Sequence, residues 1–112
     1  MKINSYEFGK IEVNNKKYTN DVIIFPDKIK SDWWRDEGHV FSIKCLKEAL
    51  DYKPNILILG IGHDGMVKVE DEIKEYCNKQ NIKLIIENTS KAVEIFNKYT
   101  NKKVVAALHL TC

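Results

Sequence analysis

The strongest constraint on the fold is the segment from Asn55 to Gly65, in which four consecutive apolar residues, Ile56 to Leu59, lead into a glycine-rich loop. Such a run is typical of a strand buried on both faces, and strands of this kind belong to parallel sheets covered by helices. In open α/β sheets, ligands bind beyond the carboxyl ends of the strands. We therefore expect any functional site to lie at the loop from Gly60 to Gly65.

The rest of the sequence supplies the other elements of an α/β fold. The residues from Tyr6 to Val13 alternate in polarity and slip around Gly9, which predicts one strand with a glycine bulge. A turn is predicted at Asn14-Asn15. Further strands are predicted at Val22 to Phe25, Lys83 to Ile86 and Val104 to Leu110, and helices are predicted to be capped by Ser42, to begin near Glu70 and to be capped by Thr89.

This order of elements predicts a three-layer α/β fold in one domain, residues 1–112. Three mainly parallel strands form the core of a mixed β-sheet flanked by helices, and the first two strands add an N-terminal antiparallel extension. The longest stretch without clean periodicity runs from Asp27 to His39, which makes it a candidate functional loop.

Composition excludes several classes of function. Eighteen basic and sixteen acidic residues give a net charge of +2, well short of the bias of a dedicated nucleic-acid binder. No apolar run approaches the roughly 18 residues of a membrane span, and the residues after Met1 lack the features of a signal peptide. The three cysteines are widely spaced, with no C-x-x-C pair. We expect a cytoplasmic monomer or weak homodimer that binds neither nucleic acid nor membrane and has no metal or cofactor.

The glycine loop reads Gly60-x-Gly62-x-x-Gly65, and Glu87 ends the next strand, as in a dinucleotide-binding fingerprint. That fingerprint needs its third glycine inside a helix that opens on the loop, and the predicted helix starts too late. Two other interpretations remain open. Backbone N–H groups of the loop could cradle an anion, or the glycines could serve a turn that needs positive φ angles.

The segment from Ser31 to His39 gathers two indoles, a guanidinium, three carboxylates and an imidazole. Arg35 could clamp a carboxylate or phosphate while a tryptophan stacks on the ligand. Alternatively, one tryptophan covers the core and Arg35 pairs with an acidic neighbour. His39 could carry a proton or serve as a local hydrogen-bonding residue. His63 precedes Asp64-Gly65, which is typical of a turn.

Five motifs carry a resemblance to a known family. In chain order they are Tyr6-x-Phe8-Gly9-Lys10-Ile11, Asp21-Val22-Ile23-Ile24-x-Pro26, Trp33-Trp34-Arg35-x-x-Gly38-His39, Gly60-x-Gly62 and Leu108-His109-x-Thr111-Cys112. Over nearly its whole length the chain resembles the small-domain family of unknown function numbered four-nine-eight, the Mth-type domain. It is similar to the adipogenesis-associated Mth-domain-containing protein and to mitochondrial complex I assembly factor three. The resemblance implies a three-layer α/β fold with a mixed sheet and no established catalytic residues.

We therefore predict a non-catalytic domain that acts through protein interaction or assembly, or through a small-ligand pocket where Arg35 and His39 meet the glycine loop. The alternative is a small enzyme or sensor that binds an anionic metabolite there, with the loop amides as an anion hole. No residue is assigned a catalytic role. The ligand-binding candidates are Trp34, Arg35, His39, Gly60, Gly62, His63 and Thr89.

Overall fold

The structure of the protein is a computed structural model, and it describes residues 1–33, 39–99 and 103–112. The strands in these residues are β1 (Ile3–Glu7), β2 (Lys10–Val13), β3 (Lys16–Tyr18), β4 (Val22–Ile24), β5 (Ile29–Lys30), β6 (Val40–Phe41), β7 (Ile56–Ile61), β8 (Lys68–Val69), β9 (Lys83–Glu87) and β10 (Val104–His109). The helices are α1 (Lys47–Asp51), α2 (Asp71–Lys79) and α3 (Thr89–Lys98). None of the described helices is long and apolar enough to cross a membrane.

A five-stranded mixed sheet in the order β5-β4-β10-β7-β9 forms the centre of the fold. The strands β10, β7 and β9 are parallel, whereas β4 and β5 run antiparallel to their neighbours. Because β7 is enclosed by β10 and β9, its residues from Ile56 to Gly60 are all buried. The predicted buried strand and the mixed sheet with a parallel core and an N-terminal antiparallel extension are confirmed.

Two apolar clusters cover the two faces of this sheet, since alternate residues of a strand point to opposite sides. On one face Leu57 and Leu59 of β7 join the buried residues of α1 and α2. On the other face Ile56 and Ile58 join those of α3, β1 and β2. The three predicted layers are therefore present.

The prediction of one bulged strand from Tyr6 to Val13 is wrong. These residues form a hairpin, in which Glu7 of β1 pairs with Lys10 of β2 across the turn at Phe8-Gly9. A second tight turn follows at Asn14-Asn15, where both residues have positive φ angles of 49° and 67°, and it leads into β3. The strands β1 to β3 thus form a sheet of their own, and only β4 and β5 extend the central sheet.

The first helix begins later than predicted. Its first residue is Lys47, and the cap position is occupied by Leu46 rather than by Ser42. The Ser42 hydroxyl instead accepts a hydrogen bond from the Cys45 amide at 3.2 Å, in the turn before the helix. A Ser hydroxyl can accept a hydrogen bond from a nearby amide in a turn as well as at a helix N-terminus. The sequence pattern therefore placed the start of α1 too early.

The cap of α3 is Asn88, one residue before the predicted Thr89. The Asn88 side chain accepts a hydrogen bond from the Lys91 amide at 3.0 Å. Thr89 is fully buried in the first turn, where its hydroxyl has other partners. The predicted start of α2 near Glu70 is confirmed, since Glu70 occupies the cap position before Asp71.

Candidate functional site

The last three residues, 110–112, form a segment that joins two loops at the carboxyl edge of the parallel strands; we call it the C-terminal segment. On one side the Gly9 amide donates to the Leu110 carbonyl at 2.8 Å. On the other side the amides of His63 and Met66 donate to the carbonyls of residues 111 and 112, at 2.6 and 3.1 Å. The segment therefore holds the β1–β2 turn and the glycine loop together.

Thr89 connects the glycine loop to the end of β10. Its hydroxyl accepts a hydrogen bond from the Gly62 amide at 3.0 Å and donates one to the His109 carbonyl at 2.6 Å. The Thr89 amide donates to the Gly62 carbonyl at 3.0 Å. A Cβ atom on Gly60 would lie only 3.0 Å from the same hydroxyl. The structure thus brings Gly60, Gly62 and Thr89 together, in a buried packing contact.

Gly62 is required by the close approach of the C-terminal segment. Its φ angle is +104°, and a Cβ atom there would lie 2.3 Å from the carbonyl oxygen of Cys112. Gly65 also has a positive φ angle, +68°, but the nearest atom to its Cβ position is 3.9 Å away. Gly62 and Gly65 therefore serve a turn that needs positive φ angles, which is the second of the open interpretations, whereas Gly60 lies inside β7.

Four amides in and just after the glycine loop already have acceptors inside the protein. Those of Gly62, His63 and Met66 donate to Thr89 and to the C-terminal segment, and that of Gly65 donates to the Gly62 carbonyl at 3.2 Å. The loop leads into β8, and α2 begins only at Asp71. In residues 39–99, which the structure describes without a gap, the loop is not followed directly by the helix that the dinucleotide fingerprint requires.

Asp21 and His109 form a partly buried pair at the same edge. The carboxylate of Asp21 contacts His109 Nδ1 at 2.7 Å and accepts from the Leu110 amide at 2.9 Å. The other ring nitrogen of His109 lies 3.2 Å from the Thr111 hydroxyl. Side-chain exposure is 9% for His109 and 14% for Asp21, so solvent screens the contact weakly. The pair fixes the ring orientation of His109 and ties β10 to the start of β4.

Asp21 and His109 are not among the site residues predicted from the sequence. The structure describes no group of three or more histidine, cysteine or acidic residues arranged to hold a metal within residues 1–33, 39–99 and 103–112. Asp21 and His109 do occur in two of the five motifs that carry the family resemblance, and these motifs were the signal that could have identified the pair.

Tyr6 also supports the C-terminal segment. Its hydroxyl donates to the Leu110 carbonyl at 3.1 Å and lies 3.5 Å from Nδ1 of His63. Burial raises the pKa of Tyr6, and the nearby charges of Asp64 and Asp21 raise it further. The phenol therefore stays protonated and remains a hydrogen-bond donor over the physiological range.

Two large apolar side chains are exposed on the loops that the C-terminal segment joins. Phe8, in the β1–β2 turn, is 55% exposed, and Met66, after the glycine loop, is 61% exposed. The His63 ring packs edge-on against the Phe8 ring, with ring centres 5.7 Å apart, and His63 precedes Met66 by three residues. We call Phe8, His63 and Met66 the Phe8–Met66 surface.

The candidate loop before β6 falls partly outside the described residues, and Trp34 and Arg35 are among those left out. Trp33 is buried, packs against Phe41 with ring centres 5.2 Å apart and donates its indole N–H to the Cys45 carbonyl at 3.1 Å. One tryptophan of the pair therefore does belong to the core.

His39 lies near the carboxyl end of β10. It is exposed, its carbonyl accepts from the Lys68 amide at 2.8 Å, and its ring centre lies 6.2 Å from that of His109. His63, by contrast, faces the aromatic residues of the β1–β2 hairpin. The predicted candidates therefore divide between two places along the edge.

The protein is therefore a three-layer α/β domain with a mixed five-stranded sheet. The C-terminal segment holds together the loops at the carboxyl edge of that sheet. Residues 3–109 match the model of a family described as protein of unknown function (DUF498/DUF598), and the chain belongs to that family. The resemblance drawn from the five motifs is confirmed.

Solved structures show the same fold. The conserved hypothetical protein PH1505 from Pyrococcus horikoshii OT3 is 23% identical, with all of both chains covered and a TM-score of 0.85. A structure titled MT938 is 22% identical over 99% of this chain and 98% of its own, with a TM-score of 0.81. A Mth938-like domain from Bordetella pertussis is 16% identical over 97% of this chain and 85% of its own, with a TM-score of 0.69.

Proposed function

We propose that the chain is a non-catalytic, cytoplasmic interaction domain that binds a partner protein through the Phe8–Met66 surface. The observation that carries this proposal is the exposure of Phe8 and Met66, at 55% and 61%, on two loops held to one segment. Aromatic residues and methionine are enriched in protein interfaces, where they bury a large apolar area. The partner is expected to present apolar side chains to this surface.

The support beneath the surface favours binding without a large rearrangement. Hydrogen bonds from Gly9, His63 and Met66 fix both loops to the C-terminal segment. A surface held in this way loses little conformational freedom when a partner binds, which preserves more of the interaction free energy. His63 adds an imidazole beside the Phe8 ring, which can form a hydrogen bond with a polar group of the partner.

The internal hydrogen bonds of the glycine loop weigh against the alternative of an anionic metabolite. An anion hole needs N–H groups that point to the ligand, and the amides of Gly62, His63, Gly65 and Met66 each donate within the protein. An anion bound there would have to break these bonds. Without the loop amides, only Arg35 and His39 of the predicted candidates would supply positive charge or N–H groups to the anion.

The test is cross-linked capture from native extract with three versions of the chain. The first is wild type, the second carries Phe8→Ser and Met66→Ser, and the third carries Lys17→Ser, an exposed change in the same three-stranded sheet. We expect one protein captured by wild type and by the Lys17 variant and lost with the double variant. A partner held equally by all three would place the interface elsewhere and refute the proposed surface.

A thermal-shift screen against nucleotides, phosphates, carboxylates and divalent metals tests the alternative function. A ligand at 100 times its Kd stabilises a protein by about 2.7 kcal/mol, which such a screen detects. We expect no stabilisation. A ligand that raises the Tm of wild type and fails with Arg35→Ala would instead establish a small-ligand site.

A further inference from the structure

We infer that two copies of this chain associate through β9, in antiparallel register about Ile85, and so join their central sheets. Among the described residues, β9 pairs only with β7 and forms one edge of the five-stranded sheet. Such an edge presents unpaired backbone N–H and C=O groups, which are a template for another strand. This inference does not depend on the Phe8–Met66 surface.

The register with β7 decides which backbone groups of β9 are open. The Lys83 amide donates to the Asn55 carbonyl at 2.9 Å, so Lys83 directs its backbone groups to the β7 side. Because the direction alternates along a strand, Ile85 and Glu87 do the same, whereas Leu84 and Ile86 direct their N–H and C=O groups to the open edge. The edge therefore offers two donors and two acceptors.

These open groups match those of a second copy in one register. With the two-fold axis at Ile85, Leu84 of one copy lies opposite Ile86 of the other and exchanges both backbone hydrogen bonds with it. By symmetry, Ile86 of the first copy exchanges both backbone hydrogen bonds with Leu84 of the second copy. The association is isologous, as in most homodimers, and it merges two five-stranded sheets into one.

The side chains select the same register. The sequence of β9 is Lys-Leu-Ile-Ile-Glu, so antiparallel pairing about Ile85 sets Lys83 of each copy opposite Glu87 of the other. A slip by two residues in either direction keeps the alternation of backbone groups, but it places Lys83 or Glu87 opposite Ile85. Opposite charges at facing positions stabilise a strand pair, and only the centred register provides them.

The apolar residues of β9 are also suited to an interface. Leu84, Ile85 and Ile86 are half-buried, in contrast to the fully buried residues at the centre of β7. Leu84 and Ile86 pack on the cluster beneath α2, and Ile85 packs on the cluster beneath α3. Pairing would therefore continue both apolar layers into the second copy. In the dimer, the Lys83 side chain would exchange its weak polar contact with the Tyr99 hydroxyl, at 3.4 Å, for a contact with Glu87 of the second copy.

Charge reversal on the full chain tests the inference, because Lys83 and Glu87 are exposed and their substitution leaves the core intact. Wild type is expected to sediment as a concentration-dependent dimer in analytical ultracentrifugation. Glu87→Lys and Lys83→Glu should each raise the dissociation constant about tenfold or more, since each sets like charges opposite each other twice. An equimolar mixture of the two variants should restore the dimer, because opposite charges then face each other again.

Asp51→Lys on α1 is the matched control, since it makes the same charge change beside the opposite end of the sheet and should leave the dissociation constant unchanged. Circular dichroism of each variant establishes that it is folded. A wild-type chain that stays monomeric at several hundred micromolar overturns the inference. A dimer whose dissociation constant ignores both reversals, or that is not restored by mixing, also overturns it, because the copies would then associate through another surface.

Discussion

The carboxylate of Asp21 contacts the imidazole of His109 at 2.7 Å, although 88 positions separate the two residues in sequence. The other carboxylate oxygen accepts from the Leu110 amide, so one side chain satisfies two donors at the end of β10. Removing the carboxylate leaves poorly solvated donors without their acceptor, which costs more than the net value of the hydrogen bonds.

We predict that Asp21→Ala lowers the free energy of unfolding by about 2 to 3 kcal/mol, and that Asp21→Asn, which retains an acceptor oxygen, lowers it by about 1 kcal/mol. Urea denaturation followed by circular dichroism measures both values. If the alanine variant were as stable as wild type within about 0.5 kcal/mol, the pair would contribute no stability at this edge.

Thr89 supports a second prediction because its buried hydroxyl links Gly62 to His109. Thr89→Val keeps the shape of the side chain but removes the hydrogen bonds that the hydroxyl makes with the Gly62 N–H and the His109 C=O, so we expect a loss of about 2 to 4 kcal/mol. Thr89→Ser is the matched control. It keeps both hydrogen bonds and removes one methyl group, at a cost of about 1 kcal/mol. Equal losses in the two variants would show that packing, not hydrogen bonding, holds the loop.

The sequence predicts the centre of the fold well because its signals are local. The apolar runs of β7 and β10 and the residues around Glu70 need no knowledge of distant partners. The hairpin at Phe8-Gly9 was mistaken for a bulge because both devices place a glycine between alternating residues. Only the pairing of β1 with β2 distinguishes them.

The site was harder to predict than the fold, since its contacts cross the whole chain. Gly62 was recognisable as a turn residue, but the approach of Cys112 to its α-carbon was not. The local pattern predicts Thr89 as a cap, but its hydroxyl bonds Gly62 in the glycine loop and His109 at the end of β10, which are distant in sequence. The predicted role of Arg35 remains a prediction, because Arg35 lies outside the described residues.

The close approach at Gly62 gives a third prediction. Gly62→Ala would place a methyl group 2.3 Å from the Cys112 carbonyl oxygen at a φ angle of +104°, so the C-terminal segment must move away. We expect a loss of more than about 2 kcal/mol in the free energy of unfolding, from steric overlap together with backbone strain. Faster amide hydrogen exchange at His63 and Met66, whose donors bond that segment, should accompany the loss.

Gly65→Ala is the matched control for this steric effect. Its φ angle is +68°, but the added methyl group would have 3.9 Å of clearance. The cost should therefore be limited to about 1 to 2 kcal/mol of left-handed backbone strain, without faster exchange at His63. If Gly65→Ala destabilised the protein as much as Gly62→Ala, the contact with Cys112 would not be the reason for glycine at position 62.

Glu48 gives a prediction about pH. Its carboxylate on α1 accepts hydrogen bonds from Lys30 at 2.8 Å and from Lys28 at 3.3 Å, and thereby ties the helix to the β5 edge. The hydrogen bond from Lys30 is the largest cause that holds the pKa of Glu48 below its ordinary value, and Lys28 lowers it further. The folded state therefore binds the Glu48 proton more weakly than the unfolded state does. The resulting stabilisation is present above the unfolded pKa of about 4.3 and is lost as the pH falls through the folded pKa.

We expect Glu48→Gln to destabilise the protein at pH 7 and low salt by less than about 1 kcal/mol, because the side chain is 43% exposed and solvent screens the ion pairs. The difference from wild type should shrink as the pH falls through the folded pKa of Glu48, because a protonated Glu48 is neutral like the glutamine, and also as salt is added. Urea denaturation at several pH values measures it. Glu75→Gln on α2 serves as the control, because it makes the same substitution at a helix residue that has no ion pair among the described residues. A Glu48 effect that persisted unchanged at low pH would mean that the side chain stabilises α1 by packing rather than by its charge.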